Sequence, residues 1–412
     1  MKLFLTCCCL LFAAALLQAQ EASTETMFAE APFDRWAAEG PAMQVPWKVR
    51  VLAPGLSVHQ RLSAHVEIEI KGRELVQRSH DGRLVTLLRM TDAAGHHYHD
   101  YGLIDLKQVK PEMHKHIWLS MWDAFVLPGD YKVELALYDK ASGEHNYQQS
   151  ALHVPGLKDD LLPEAWSGLP SVELWGPLTD ERDAIFHSDI EGALHLPLET
   201  GRPVHLEVLA DLTPSDLFHG STRFYTRYLS VMLPLMKALT QIAPANGSMR
   251  VATLDLRRRE VTFEQDNVKQ LDWTKLKQVV TPEKGPAMID IRGLEQKHET
   301  PDFLRDEVLR RLRALREASS GSAQKPLHVF LVLGSPMDFY AFHHFPPIPP
   351  EQTEDCVVYY LQFELYNPQY ASGALGSVRK MMKPLPIHTM QVRSPQSIRH
   401  ALARVLEEVA SM

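Results

Sequence analysis

The segment His205-Leu206-Glu207-Val208-Leu209-Ala210-Asp211-Leu212-Thr213-Pro214-Ser215 decides how the second half of this chain is interpreted. It begins as an apolar strand and ends in the pattern Asp-x-Thr-x-Ser, and an amphipathic helix is predicted to follow at about Phe224 to Ile242. A carboxylate and two hydroxyls at alternate positions can converge on one point above the carboxyl end of the strand. In proteins with open parallel sheets, small molecules and ions bind in a crevice at the carboxyl ends of the strands. Mg²⁺ prefers hard oxygen ligands such as these carboxylate and hydroxyl groups.

Strands and helices alternate from Val204 onward. The predicted strands are Val204–Ala210, Met249–Leu256, Glu260–Glu264, His328–Leu333, Val357–Phe363 and Ile387–Val392. Three of them are near-continuous apolar runs, as expected of parallel strands that are buried on both faces. The predicted fold class is therefore α/β, with a Rossmann-like, mostly parallel sheet and helices on both faces. Arg257-Arg258-Arg259 predicts a hairpin, which makes Glu260–Glu264 an antiparallel edge strand.

Three further helices are predicted at Thr300–Ala318, at roughly Gly373–Met382 and at Ser394–Val409. Thr300-Pro301 and Ser394-Pro395 place a capping hydroxyl before a proline in the first helical turn, which is typical of a helix start. The arginines of the helix that begins at Thr300 alternate with acidic residues. We interpret them as a salt-bridged, exposed helix face, and they are Arg305, Arg310, Arg311, Arg313 and Arg316.

The first half has a different pattern, in which short alternating strands are separated by turn signals. Leu127-Pro128-Gly129-Asp130-Tyr131 starts a strand that alternates as far as Asp139, and this hairpin resembles the late hairpin of immunoglobulin-like and fibronectin-like sandwiches. An all-β sandwich domain is predicted over residues 44–155. Residues 156–196 are broken by prolines and predict a linker with short strands, and residues 197–412 form the predicted second domain.

The N-terminus has the pattern of an export signal. Met1-Lys2 is positive, and an apolar run from Leu3 to Leu17 is too short to span a membrane comfortably. Residues 1–20 are the predicted signal peptide, and residues 21–43 are a predicted disordered leader. The mature chain is then expected in the periplasm or the secreted fraction, with no transmembrane segment. Cleavage leaves Cys356 as the single cysteine, which we expect to be buried in a strand.

Composition limits the choice of partner. The chain has 412 residues, of which 45% are hydrophobic and 23% are charged, and these are ordinary values for a globular protein of two or three domains. Its formal net charge is −8, so it lacks the basic excess that neutralises phosphates, and nucleic acid is not expected as a partner.

The order of elements after residue 197 resembles a von Willebrand factor type A domain of the kind found in exported bacterial proteins. In that family the first strand ends in Asp-x-Ser-x-Ser, a metal-ion-dependent adhesion site, and Asp211, Thr213 and Ser215 stand at the three positions. The resemblance implies an Mg²⁺ ion, a further threonine and a further aspartate. The loop Lys284–Met288 has no hydroxyl, and Asp338 lies three or four residues beyond the expected place. The implied metal site is therefore degenerate.

Other constellations are weaker. His96-His97-Tyr98-His99-Asp100, His114 and His116 have spacings at which two histidines can share a metal, but exposed loop histidines are the simpler interpretation. The sequence contains no Gly-x-Ser-x-Gly elbow, no Gly-x-Gly-x-x-Gly and no P-loop.

Two functions are compared. The first is an exported, non-enzymatic protein for adhesion or complex assembly, which binds a protein partner through the edge formed by Asp211–Phe218, Gly285–Asp290 and Gly334–Pro350. That edge includes Asp216, Ser335, His343 and His344. The alternative is an exported hydrolase with a site near Asp211, Ser335, Asp338 and His343 or His344, which requires a histidine nitrogen within hydrogen-bond reach of a hydroxyl.

Overall fold

The computed structural model describes residues 24–78, 82–175, 192–213, 222–280, 300–321, 324–334, 348–349, 353–363 and 378–412. The chain divides into two compact units. The first unit comprises Met1–Gly55, Arg61–Lys158 and Pro170–Thr179, and the second comprises Leu56–Gln60, Asp159–Leu169 and Asp180–Met412. The predicted linker, residues 156–196, is therefore divided between the two units, and a short segment near residue 60 also belongs to the second.

The first unit is built from strands joined by short connections. Its strands are β1 (Ala42–Met43), β2 (Trp47–Val51), β3 (Gly55–Leu56, which crosses the boundary), β4 (Leu62–Lys71), β5 (Arg83–Thr91), β6 (His97–Asp105), β7 (Ile117–Val126), β8 (Gly129–Asp139), β9 (His145–Val154) and β10 (Val172–Trp175). One sheet has the order β1-β9-β8-β5-β6, and the other has the order β10-β7-β4-β2 with β3 beside β4. Neighbours along both orders pair antiparallel, and tight hairpins join two of the pairs, β5-β6 and β8-β9.

The N-terminal segment is helical and not a disordered leader, so that prediction is wrong from residue 24. Helix α1 covers residues 24–30 and α2 covers Phe33–Glu39. Phe33 and Trp36 are buried against Val85, Leu87, Ala136 and Tyr147, on one face of the first sheet. The prediction of disorder relied on the acidic, aperiodic composition of this segment. It gave no weight to Phe33 and Trp36, which are three positions apart and therefore share one face of a helix. A short helix, α3 (Gly72–Gln77), follows β4.

The second unit contains a six-stranded sheet. Its strands are β12 (Val204–Asp211), β14 (Gly247–Asp255), β15 (Glu260–Gln265), β16 (Leu327–Gly334), β17 (Cys356–Phe363) and β18 (Ile387–Val392). The strand order is β15-β14-β12-β16-β17-β18. Strand β15 pairs antiparallel with β14, as the hairpin at Arg257-Arg258-Arg259 predicted, and the remaining neighbours pair parallel. Two short strands, β11 (Leu196–Leu198) and β13 (Ile242–Pro244), form a separate parallel pair.

Helices of the second unit lie close to the predicted positions. They are α4 (Thr222–Thr240), α5 (Trp273–Val280), α6 (Thr300–Ser319), α7 (residues 378–382) and α8 (Pro395–Ala410). Ser394 caps α8 by accepting a hydrogen bond from the backbone N–H of Ser397, as the sequence predicted. The sequence analysis missed α5.

The predicted fold class is wrong as a description of this chain. The chain is β-rich, and antiparallel pairing predominates because both five-stranded sheets are antiparallel and β15 adds an antiparallel edge to the third sheet. The prediction of a Rossmann-like, mostly parallel α/β fold gave most weight to the second half, where helices and strands alternate. The described strand pairs of the two sheets of the first half are all antiparallel, and that weighting left them out.

One core of the second unit lies between one face of its sheet and α6. Leu304, Val308 and Leu312 of α6 pack against buried residues of β12 and β16, such as Leu209 and Phe330. Strands β16 and β17 are buried along their whole length, which explains their unbroken apolar sequences. Cys356 is buried in β17 as predicted, and burial raises the pKa of its thiol to about 12. Among the helices that the structure describes, none combines the length and the apolar character needed to cross a membrane.

Candidate functional site

The strand order of the six-stranded sheet reverses at β12. The chain passes from β12 to β14 on one side, and later returns to β16 on the other side. Ala210 pairs with Leu333, so Asp211 and Gly334 end adjacent parallel strands at the same edge. Connections that leave in opposite directions open a crevice between the carboxyl ends of two such strands, and ligands bind there in many proteins.

Asp211 and Thr213 form the described floor of this crevice, and both are buried. The Asp211 Oδ1 atom accepts a hydrogen bond from the backbone N–H of Thr213 at 3.0 Å and a second, short hydrogen bond from the Thr213 hydroxyl. The Thr213 hydroxyl oxygen in turn accepts from the backbone N–H of Leu256 at 2.7 Å. The Tyr228 hydroxyl donates to the backbone carbonyl of Asp211 at 2.6 Å. These bonds fix the turn after β12 against the end of β14 and against α4.

The described donors do not fit an Mg²⁺ site by themselves. Asp211 and Thr213 supply one carboxylate and one hydroxyl, and these two groups bind each other through Oδ1. Mg²⁺ requires near-octahedral oxygen coordination, most of which these two side chains leave to other oxygen atoms. The arrangement instead matches a turn that is capped by a side chain.

The other predicted residues of this edge lie outside the described residues. They are Ser215, Asp216, Ser335, Asp338, His343 and His344. The predicted hydrolase site around Asp211, Ser335 and His343 and the remaining predicted metal ligands therefore stay predictions.

Below the crevice, the same face of β12 carries a buried charge that the sequence analysis missed. Glu207 lies four residues before Asp211 and on the same face of the strand. Its carboxylate forms ion pairs with Arg311 of α6 and Arg250 of β14, each at 3.3 Å. Arg311 also pairs with Glu264 at 2.7 Å and with Glu307 at 2.6 Å. Burial raises the pKa of Glu207, and the neighbouring arginines oppose that shift.

This network corrects the interpretation of α6. Arg311 is fully buried and Arg305 is almost so, whereas an exposed helix face was predicted. Glu207 in the otherwise apolar strand β12 was a signal for this network in the sequence. A buried carboxylate requires a partner of opposite charge, so a buried arginine could have been expected. The network ties α6 to the sheet beneath the crevice, and breaking such a pair is costly because it leaves a buried charge uncompensated.

Within the described residues, the histidines of the first half belong to no group of three or more His, Cys, Asp or Glu side chains that could hold a metal. His97 and His99 lie on β6 with their ring centroids 6.0 Å apart. His97 Nδ1 is 2.9 Å from the Thr91 hydroxyl, and His96 Nδ1 is 3.1 Å from an Asp92 carboxylate oxygen.

At the opposite, amino edge of the sheet, two histidines on adjacent strands stack. The rings of His205 and His328 are 5.6 Å apart and nearly parallel, and His205 Nδ1 is 2.6 Å from the Ser248 hydroxyl. Burial lowers the pKa of His328 to about 4, so this ring is neutral at pH 7. A cavity of about 130 Å³ adjoins His205 and is also lined by Ser248, Arg250 and Asp266. Neither histidine was identified from sequence.

No protein-family model matches this chain, and no curated protein matches it. Among solved structures, the ArnB paralog VWA2 from Sulfolobus acidocaldarius is 8% identical, with a TM-score of 0.24 over 67% of this chain and 49% of that one. The PilB minor pilin from Streptococcus sanguinis is 8% identical, with a TM-score of 0.26 over 97% of this chain and 98% of that one. The chain thus spans about half the length of VWA2. Likenesses at these TM-scores carry no argument about function.

Proposed function

We propose that this chain is an exported protein for adhesion or complex assembly, and that its second unit works by binding and not by catalysis. Its partner is a protein, which it binds at the carboxyl edge of the six-stranded sheet. Export rests on the apolar segment Leu3–Leu17 and its flanks, which lie outside the described residues. The observation that carries the proposal is the reversal of strand order at β12, because it opens a crevice between the ends of β12 and β16.

The floor of that crevice supports a role in recognition rather than in metal chemistry. Asp211 Oδ1 and the Thr213 hydroxyl are engaged in hydrogen bonds within the turn. They hold the ends of β12 and β14 in one geometry, so that the segments leaving the sheet start from fixed points. A rigid base of this kind lowers the entropy cost of binding.

The sequence of the connection between β16 and β17 supports a protein partner. Residues 335–355 include Phe339, Tyr340, Phe342 and Phe345, followed by four prolines before residue 351. Aromatic residues are enriched where proteins bind one another, and connections at this edge of a sheet often carry binding function.

Site-specific photo-crosslinking tests the proposal while the identity of the partner is still open. A photoreactive phenylalanine analogue is placed at Phe342 or, as the matched control, at Lys325, which is exposed and precedes β16 at the opposite edge of the sheet. Both forms are expressed in the source cells and irradiated, and the adducts are identified by mass spectrometry. A protein adduct that forms from position 342 and not from position 325 is expected.

The captured protein is then purified, and its affinity is measured for the natural chain, for Phe342→Ser and for Lys325→Ser. We expect Phe342→Ser to weaken binding about tenfold or more, as loss of a central aromatic contact does, and Lys325→Ser to have no effect. Equal adducts from both positions, or equal affinities of the two variants, would contradict the proposed edge.

A further inference from the structure

Three side chains of the first unit form a hydrogen-bonded series on the sheet β10-β7-β4-β2. Ser63 and His65 lie two residues apart on β4, so both project from the same face, opposite to the face that buries Val66. Asp123 is the direct cross-strand partner of His65 on β7. His65 Nδ1 makes a short contact with Asp123 Oδ1, and His65 Nε2 is 3.4 Å from Ser63 Oγ. The Gly55 carbonyl oxygen is also 3.4 Å from Ser63 Oγ and can accept the same hydrogen.

The surroundings of the three groups differ in a way that suits proton transfer. Asp123 is 8% exposed and Ser63 is 7% exposed, whereas the His65 side chain is 35% exposed. A buried carboxylate at Nδ1 holds the imidazole in one orientation and one tautomer, with its second nitrogen directed at the hydroxyl. The hydrogen bond to Asp123 raises the pKa of His65 above its ordinary value of 6.5.

We propose that Ser63, His65 and Asp123 form a serine nucleophile centre that hydrolyses carboxylic esters. This activity goes beyond the binding function proposed for the second unit. Nucleophile, base and orienting group have the order required for acyl transfer. A separation of 3.4 Å between base and nucleophile is within the range of sites without substrate, in which such bonds are often long.

The reaction balances with water as the only co-reactant. Ser63 Oγ attacks the ester carbonyl carbon while its proton passes to His65 Nε2. Collapse of the tetrahedral adduct breaks the bond to the alcohol oxygen, which leaves with the proton from His65. Water then attacks the acyl-serine, gives a proton to His65, and releases the acid as the proton returns to Ser63. Asp123 acts as a positioning residue, because it orients His65 and stabilises its charged form.

The same face of β7 indicates the class of ester. Ile117, Leu119 and Met121 alternate toward Asp123 and are 64%, 54% and 36% exposed. Alternate residues of a strand lie on one face, so this apolar stripe leads to the Asp123–His65 pair. An apolar acyl chain would bury the stripe, and each buried methylene contributes about 0.8 kcal/mol. The substrate class is therefore an ester with an apolar acyl group.

Covalent labelling tests the proposal directly on the full mature chain. The chain is treated with an alkyl fluorophosphonate, which reacts with activated serines, and the modified residue is identified by peptide mass spectrometry. We expect modification at Ser63, at a rate that increases with pH and levels off above the raised pKa of His65. Hydrolysis of p-nitrophenyl butyrate should follow the same pH profile.

Variants separate the centre from adventitious reactivity. Ser63→Ala should abolish labelling, and His65→Gln should slow it about 100-fold or more, as expected for loss of a general base. Ser120→Ala is the matched control, since Ser120 has the same 7% exposure on the same sheet, and it should label like the natural chain. Circular dichroism confirms that each variant is folded.

Three outcomes would overturn the proposal: no modification at Ser63 of the natural chain, equal labelling of natural and His65→Gln chains, or a rate that does not change with pH. The centre lies in the first unit and the proposed binding edge in the second. A failed labelling experiment therefore leaves the crosslinking result unaffected, and the reverse also holds.

Discussion

Arg399 on α8 offers the most direct test of how the second unit is held together, because its guanidinium bonds to two segments that are remote in sequence. It donates to both carboxylate oxygens of Asp160, to the Leu162 carbonyl at 2.6 Å and to the Gln60 carbonyl at 3.4 Å. It also lies 4.7 Å above the ring centroid of Trp166. The change to make is Arg399→Met, which keeps the apolar stem and removes the charge.

The expected magnitude follows from burial. The side chain of Arg399 is 5% exposed and that of Asp160 is 11% exposed, so the substitution leaves a nearly buried carboxylate without its charged partner and removes the arginine donor to the Leu162 carbonyl. Asp160 keeps the backbone N–H of Leu162, and the Gln60 carbonyl keeps the indole N–H of Trp166. Breaking a buried pair in this way costs about 3–5 kcal/mol. We therefore expect the transition of the second unit to move about 6–20 °C lower, at about 2–4 °C per kcal/mol for a unit of this size.

Thermal unfolding of the full mature chain measures this, with hydrogen exchange assigning each transition to one of the two units. Arg404→Met is the matched control on the same helix. Arg404 is 52% exposed and pairs with Glu408 at 2.6 Å, and surface pairs of this kind contribute about 0–1 kcal/mol. Two results would contradict a stabilising role for the Arg399 contacts. Either Arg399→Met and Arg404→Met destabilise the second unit equally, or Arg399→Met lowers its free energy of unfolding by less than about 1 kcal/mol.

Three further predictions concern other parts of the chain. Calorimetric titration with Mg²⁺ should give no saturable binding, because Asp211 Oδ1 and the Thr213 hydroxyl bind each other; saturable heat that Asp211→Ala abolishes would reverse this conclusion. Burial lowers the pKa of His328 from 6.5 to about 4, so its contribution to stability is complete above pH 6.5 and is lost as the pH falls toward 4. The free energy of unfolding, measured by urea titration, should therefore fall more between pH 7 and pH 4.5 for the natural chain than for His328→Phe, by up to about 3 kcal/mol. Equal decreases would show that His328 does not contribute. Trp36→Ala should destabilise the first unit by about 3–5 kcal/mol, as judged by its urea midpoint, whereas an unchanged midpoint would indicate that α2 does not cover the sheet.

Local patterns in the sequence predicted the strands and helices of the second half well. Apolar runs predicted β12, β16 and β17, because a strand that is buried on both faces has no polar alternation to obscure it. Ser394-Pro395 predicted the start of α8, because the cap and the proline act within one helical turn. The apolar segment that follows Cys356 also predicted that this residue is buried.

Properties that depend on distant residues were not accessible from sequence. The burial of Arg311 follows from Glu207, which lies 104 positions away, and the exposed-face interpretation of α6 failed for that reason. The helical N-terminal segment depends on the sheet that it covers, since Trp36 is stable in a helix only when Val85 and Leu87 lie beneath it.

By itself, the sequence determined where most strands and helices of the second half form, because strand alternation, helix caps and turn residues act over a few positions. The tertiary structure alone decided the predominance of antiparallel pairing, the enclosure of Glu207 by two arginines, and the approach of Asp123 to His65 across 58 residues. These features arise when sheet pairing brings remote strands to within about 5 Å. No local pattern encodes which strands will pair.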